Sequence, residues 1–441
     1  MTELVNEIDW SKYFSAVENC LSIQLEGRVA KIIGLIVEGV GLNMGIGNLC
    51  EIYNEFDEKI LAEVVGFKAD RVLLMPYGDV RGVRVGSRIV LVEKRPAADV
   101  GDGYLGRVIN GMGEPLDGLG PVHSTQKYPL YGEPVNPLER ESISELMDVG
   151  VSVINTILPL GKGQRVAIMA GSGVGKSVLM GMMAKHTEAD VTIIGLIGER
   201  GREVKDFIEN NLGPDGMKKT VVVAATSDSP PLVRMRGAYL ATAMAEYFRD
   251  QGKDVLLIVD SITRFAMSSR DVGLSAGEPP TNRGYTSSFF VRIPILLERA
   301  GTIKGKGSIT GIYTVLVEGD DLNDPVGDTV RSIVDGHIVL SRKLANRGFY
   351  PAIEVLESVS RVARDVVPPE HTKLREETIE ILSAYADAED MISIGAYASG
   401  SNQAIDQAIK LKPKLDALRK QDIDARTNYE VSLNKLKAIY F

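Results

Sequence analysis

Cysteine is scarce. Cys20 and Cys50 are the only two among 441 residues, too few for a disulfide framework, so a reducing compartment is expected. An excess of positive charge is also missing. Lysine and arginine total 50 against 59 aspartates and glutamates, a formal charge of −9, which argues against a chain that coats nucleic acid, and no nucleic-acid partner is expected. No run of about 18 apolar residues occurs, and the opening MTELVNEIDWSKYF is acidic where a secretory signal is basic. The expected location is therefore the cytoplasm, with any membrane role exercised through partners or surface contact. Internal repeats and low-complexity tracts are absent as well. What remains is 44% apolar and 25% charged, an ordinary globular balance, and the length suggests about three domains at about 150 residues each.

Residues 1–22 carry Trp10, Tyr13, Phe14, Val17 and Leu21 at helical spacing. Such an amphipathic stripe serves equally as a docking helix for a partner or as a helix packed on its own domain. From Gly27 to about Val92 short β-branched runs, at 30–37, 61–65 and 71–74, are separated by Gly-rich turns, a pattern that predicts a small β-barrel over 23–95. The Gly- and Pro-rich stretch 95–137 reads as an extended connector. Beyond it, apolar runs at 165–170, 191–197, 220–225, 255–259 and 309–317 alternate with helical patterns, as in a parallel sheet covered by helices. After the breaker Pro368-Pro369 the pattern is helical to Phe441, and Lys410, Lys412, Lys414 and Asp416 read as a solvated face. The expected fold class is α/β, with an N-terminal segment 1–22, a barrel 23–95, an α/β domain 96–367 that includes the connector, and a helical domain 368–441.

The run 165–169 leads into Ala170-Gly171-Ser172-Gly173-Val174-Gly175-Lys176-Ser177, and a helical pattern follows. This strand, loop and helix is the context of a P-loop. Its glycines let N–H groups converge on phosphate oxygens, Lys176 neutralises the β- and γ-phosphates, and the Ser177 hydroxyl reaches Mg²⁺. ATP and Mg²⁺ are the expected ligands. Ala170 stands where the strict pattern has glycine. A second apolar run ends in Asp260, at the strand edge where open α/β sheets bind ligands, and this carboxylate can hold Mg²⁺ through water; the competing role is a helix N-cap. In Gly198-Glu199-Arg200-Gly201-Arg202-Glu203 the strand-end Glu199 is the candidate general base, with Arg200 beside it as a further candidate catalytic residue. A helix starting near Arg202 would point Glu203 elsewhere, toward the outer water shell of Mg²⁺, or leave it to cap that helix electrostatically.

With these motifs occur, in order, Gly277-Glu278-Pro279-Pro280-Thr281-Asn282-Arg283-Gly284-Tyr285, Val317-Glu318-Gly319-Asp320-Asp321, Asp335-Gly336-His337-Ile338-Val339-Leu340-Ser341-Arg342 and Val359-Ser360-Arg361. The ordered set, over about residues 25–411, resembles the rotary ATPase superfamily, and within it the flagellar and type III secretion export ATPases. The resemblance implies a RecA-like nucleotide-binding domain, a homohexameric ring with ATP between neighbours, Arg361 as an arginine finger toward the adjacent γ-phosphate, and Tyr350 stacked on adenine. It also implies a stator-like regulator on the N-terminal segment, a central-stalk coiled-coil protein, export chaperones and substrates, and peripheral contact with an export gate at the inner face of the membrane. Ile394-Gly395-Ala396-Tyr397 resembles the flagellar branch, where the injectisome branch more often has Gly-Glu-Tyr; the alternatives are an injectisome ATPase and a catalytic subunit of a proton-translocating synthase. Thr286-Ser287-Ser288 and Leu146-Met147-Asp148 depart from the family's usual Pro-Pro-Ser and Pro-Leu-Asp, away from the phosphate machinery.

Overall fold

The structure, a computed structural model, describes residues 26–317 and 324–441. The apolar stripe of 1–22, Cys20 and positions 318–321 of the acidic motif lie outside the described residues.

The chain divides into two compact units after Pro96. In the first, six strands close a barrel in the order β1-β2-β5-β4-β3-β6: β1 (Glu26–Ile33), β2 (Ile36–Val40), β3 (Leu49–Tyr53), β4 (Lys59–Lys68), β5 (Arg71–Pro76) and β6 (Arg88–Glu93). Alternating inward residues, among them Val29, Val37, Cys50, Ile52, Leu74 and Ile89, fill its interior. The apolar run 30–37 is two strands, not one. Gly34 at φ 55° turns the chain there, and Ile33 pairs with Ile36 across the hairpin.

In the second unit one sheet has the order β17-β16-β10-β15-β13-β11-β12-β8, with β14 (Gly301–Thr302) paired to β15. Its strands are β8 (Val108–Asn110), β10 (Arg165–Ala170), β11 (Val191–Ile197), β12 (Thr220–Ala225), β13 (Asp254–Asp260), β15 (Ser308–Leu316), β16 (Gly336–Leu340) and β17 (Ile353–Ser360). All five expected strands are present and mutually parallel where they meet. Every residue of β11 and β12 is buried, as in sheets covered on both faces. The stretch 95–137 is more ordered than a connector: β7 (Ala97–Val100) pairs antiparallel with β9 (Gln126–Pro129), and β8 joins the main sheet beside β12. Strands of three or four residues are too short to show a period. A side chain holds β8 in place, since Asp117 accepts from Val108 N at 3.0 Å and from Arg107 at 2.7 and 2.8 Å.

The helices that matter to the site are α1 (Ser152–Ile157), α2 (Lys176–His186), α3 (Gly201–Asp206), α4 (Pro231–Asp250), α5 (Ile262–Ser275), α6 (Arg342–Asn346), α7 (Pro369–Ser393), α8 (Gln403–Arg419) and α9 (Tyr429–Tyr440). The helical region begins at Pro369, yet its Leu374, Ile381, Leu415 and Leu436 belong to the same apolar core as Ile168, Ile194 and Leu256 of the sheet. Among the described residues no helix is long and apolar enough to cross a membrane.

Candidate functional site: a phosphate-binding cleft at the strand ends

β10 carries the chain to Ala170, still within the strand and 1% exposed. The position needs neither a positive φ nor space, so alanine serves as well as glycine. The loop then turns through Gly173 (φ 76°) and Gly175 (φ 91°) into α2, whose first-turn N–H groups face the cleft mouth with the positive end of the helix dipole. A Cβ on Gly175 would lie 3.3 Å from the Tyr350 ring, so the aromatic face, 45% exposed, rests directly on the loop. Val174 turns the other way, into the core.

The cleft holds about 740 Å³ and is lined by the rest of the loop together with Glu199, Arg200, Glu203, Ser227, Arg264 and Arg342. Lys176 Nζ reaches across it to the Asp260 carboxylate and lies 3.6 Å from Glu199 Oε1. Asp260 is 2% exposed and also accepts from Thr314 Oγ1 at 2.6 Å. It does not cap α5; Ser261 does, accepting from Arg264 N at 3.2 Å. Burial and the Asp260 charge push the Glu199 carboxyl up to about 7, against the pull of Lys176, and its hydrogen bond with Glu203 adds to the rise. Glu203 is held below its ordinary value by that same bond and by Arg200, 3.0 Å away. Glu199 therefore keeps the shared proton and donates it to Glu203.

Glu203 does not point elsewhere. α3 begins at Gly201, a residue earlier than expected, and the tighter turn returns Glu203 to the cleft. Gly198 makes this possible: its φ is 75° and a Cβ there would meet the Arg264 stem at 2.8 Å. Sequence reasoning missed Arg264, Ser227, Arg342 and Thr314. The one local signal was the Asp260-Ser261-Ile262-Thr263-Arg264 run, where the arginine lies one helical turn past the cap.

Arg361 is not in this cleft. β17 runs antiparallel to β16, with Gly336 paired to Ser360, whereas β16 runs parallel to β10, with Leu340 beside Ala170. The carboxyl end of β17 is thus at the amino end of the P-loop strand. Six residues of β10 separate the two edges, about 17 Å at the rise of a parallel strand. There Arg361 is exposed, its N–H donates to Asp335 O at 2.9 Å, and Arg165 clamps the Asp335 carboxylate at 3.1 and 3.2 Å.

Comparison with known proteins follows this division. Residues 150–360 match the ATP synthase alpha/beta family nucleotide-binding domain, residues 29–92 its beta-barrel domain, and residues 367–438 the T3SS EscN ATPase C-terminal domain. The flagellum-specific ATP synthase of Bacillus subtilis (strain 168) is 48% identical over 431 residues, covering 96% of this chain and 97% of that protein. That of Salmonella typhimurium is 46% identical, covering 95% of this chain and 94% of its own length. The assembled ATPase EscN from the enteropathogenic E. coli type III secretion system superposes with a TM-score of 0.89 at 42% identity, over 94% of this chain and all of that one. EscN in complex with its central stalk EscO superposes with a TM-score of 0.87 at 41% identity, over 94% of this chain and all of that one. The chain belongs to the ATP synthase alpha/beta family, and within it to the ATPases of flagellar and type III secretion systems.

Proposed function

We propose that this ATPase energises protein export through a flagellar type III apparatus, working as a homohexameric ring with each nucleotide between two subunits. The observation that carries the ring is the separation of machinery on one chain: the base Glu199 at the carboxyl edge of the sheet, the finger Arg361 at the opposite edge. A cation that cannot reach its own cleft is useful to a neighbour in a head-to-tail ring, where such contacts close on themselves.

Within the cleft, loop N–H groups and Lys176 bind the triphosphate, and Tyr350 offers its face to the adenine. When phosphate arrives, Lys176 exchanges its carboxylate partners for the β- and γ-oxygens. Glu199 orients water and takes its proton. Ser177, Asp260 and, in the outer shell, Glu203 form an all-oxygen donor set that suits Mg²⁺, and Asp260 is already fixed by Lys176 and Thr314. Bound there, Mg²⁺ would supply charge neutralisation on the phosphates. Arg200, 79% exposed at its side chain, stands at the mouth, placed to meet phosphate as the cleft fills. The partners assigned to the chain are a stalk protein, a regulator on the N-terminal segment, export chaperones and cargo, and an export gate at the membrane.

The flagellar reading is favoured over an injectisome by Ala396 and by relatives named flagellum-specific. The test replaces the chromosomal gene in the source organism with Glu199→Gln. Hook and filament proteins should vanish from the medium while the variant remains folded at normal abundance. Their continued secretion would overturn the proposal, and loss of other secreted proteins alone would point to the injectisome reading.

A further inference from the structure

The segment that follows β16 touches the P-loop twice and the helical region between. Leu340 pairs with Ala170, so two residues on Arg342 stands beside Ser172, and its Nη1 donates to Ser172 O at 3.3 Å. At the segment's other end the Tyr350 ring lies against Gly175. Between them α6 turns its Lys343 and Arg347 to a single carboxylate on α7: Lys343 Nζ is 2.8 Å from Glu389 Oε2 and Arg347 Nη1 is 3.3 Å from Glu389 Oε1. Beneath α6 a hollow of about 100 Å³, bordered by Leu344, Leu382 and Tyr385, separates it from α7 and α8. Close packing would lock the helix in place. Here the two ion pairs and the Ser172 contact hold it across a gap.

We infer that α6 is a strut between the P-loop and α7, with Arg342, Lys343, Arg347 and Glu389 as positioning residues, so that ATP affinity and the placement of the helical region are linked. This rests on the cleft being the nucleotide site. Linkage is reciprocal: nucleotide that shifts the Ser172 carbonyl pulls on Arg342 and so on Glu389, and a partner that displaces the end of α7 changes nucleotide affinity by the same factor. The strut gives the helical region a route to the phosphates that involves none of the residues that do the chemistry.

The test measures binding of a fluorescent ADP with Mg²⁺ to the full chain, alongside turnover. Glu389→Ala should weaken binding by up to about fivefold, the ceiling for half-exposed ion pairs, with kcat changed less than about twofold. Lys343→Ala combined with Arg347→Ala removes the same pairs from the other side and should match it. On an Arg342→Ala background, Glu389→Ala should add nothing, because the link is already cut. Reversing the pairs, Glu389→Arg with Lys343→Glu and Arg347→Glu, should restore affinity. Glu376→Ala, which breaks a comparable exposed pair with Arg364 on the same helix at 2.7 Å, should leave affinity unchanged. Parental affinity in Glu389→Ala, or losses that multiply with Arg342→Ala, would overturn the strut. Lys176→Ala tests the cleft separately: unchanged nucleotide binding in that variant would refute the site itself, whatever Glu389 does.

Discussion

At the scale of single residues, the cleft is a set of charges that cannot all be satisfied without phosphate. Lys176 is shared between Asp260 and Glu199, and Glu199, buried beside a second carboxylate, holds its proton to about pH 7. A base must be ionised to work, so kcat/KM for ATP should climb as pH rises through about 7, the value of the free enzyme's essential base. Glu203→Gln removes a charge and a bond that both raise Glu199, and this limb should move to lower pH; a limb that stays put would take Glu203 out of the pair. Glu199→Gln should bind nucleotide yet lose turnover by at least about 10²-fold, the scale of a lost general base. The stability consequence runs the same way. The Glu199 value in the folded chain lies above its ordinary 4.5, so the burden of burying its charge is absent below about 4.5 and complete above about 7. In denaturant titrations at pH 8 the Gln variant should therefore be at least as stable as the parent.

At the scale of elements, the helical region is pinned by polar contacts as well as by leucines. His371, near the start of α7 and 1% exposed, bonds Thr156 O of α1 through Nε2 at 2.7 Å and the Tyr429 hydroxyl of α9 through Nδ1 at 3.1 Å. Since Nε2 must donate to a carbonyl, Nδ1 accepts from the tyrosine, and the ring is neutral. Burial lowers its pKa below the ordinary 6.5. Its contribution to stability is then complete above about 6.5 and is lost as pH falls toward the depressed folded value, because the unfolded chain takes the proton first. His371→Leu should lower stability by about 1–3 kcal/mol at pH 7.5, the cost of an unsatisfied buried carbonyl. It should also flatten the decline between pH 6.5 and 5.5 in urea titrations. An equally steep decline would place the acid sensitivity in another group.

At the scale of the whole molecule, the antiparallel edge strand β17 decides how the enzyme is organised. Arg361 stands about 17 Å of strand away from its own P-loop, farther than an arginine side chain reaches. If it serves the neighbouring cleft, then Arg361→Ala and Glu199→Gln chains are each nearly inactive alone, since a finger supplies about 10³–10⁵ in rate. Mixed one to one, about a quarter of the interfaces in a head-to-tail ring would combine an intact Glu199 with an intact Arg361. Activity should return toward that fraction, and below it if the ring turns over cooperatively. A flat mixing curve, with subunit exchange verified by a fluorescent label, would remove Arg361 from the reaction and leave the cleft assignment standing. Specific activity of the parent should likewise rise with protein concentration.

Much of this protein was legible in its sequence because the relevant signals are local. The P-loop is one strand, one turn and one helix in succession, and the five central strands, buried on both faces, read as uninterrupted apolar runs at 165–170, 191–197, 220–225, 255–259 and 309–317. Glu199 and Asp260 were found at strand ends for the same reason. What the tertiary structure alone decided depends on neighbours distant in the chain. The proton on Glu199 is set by Asp260 and by burial, the return of Glu203 to the cleft by a helix start fixed at Gly201, and the strand character of 108–110 by pairing with β12. The meeting of Arg342 with Ser172 follows from strand register between β16 and β10, and the exile of Arg361 from the direction of β17. Register and strand direction are chosen by which buried faces must match across the sheet, and no window along the chain contains both partners of such a match.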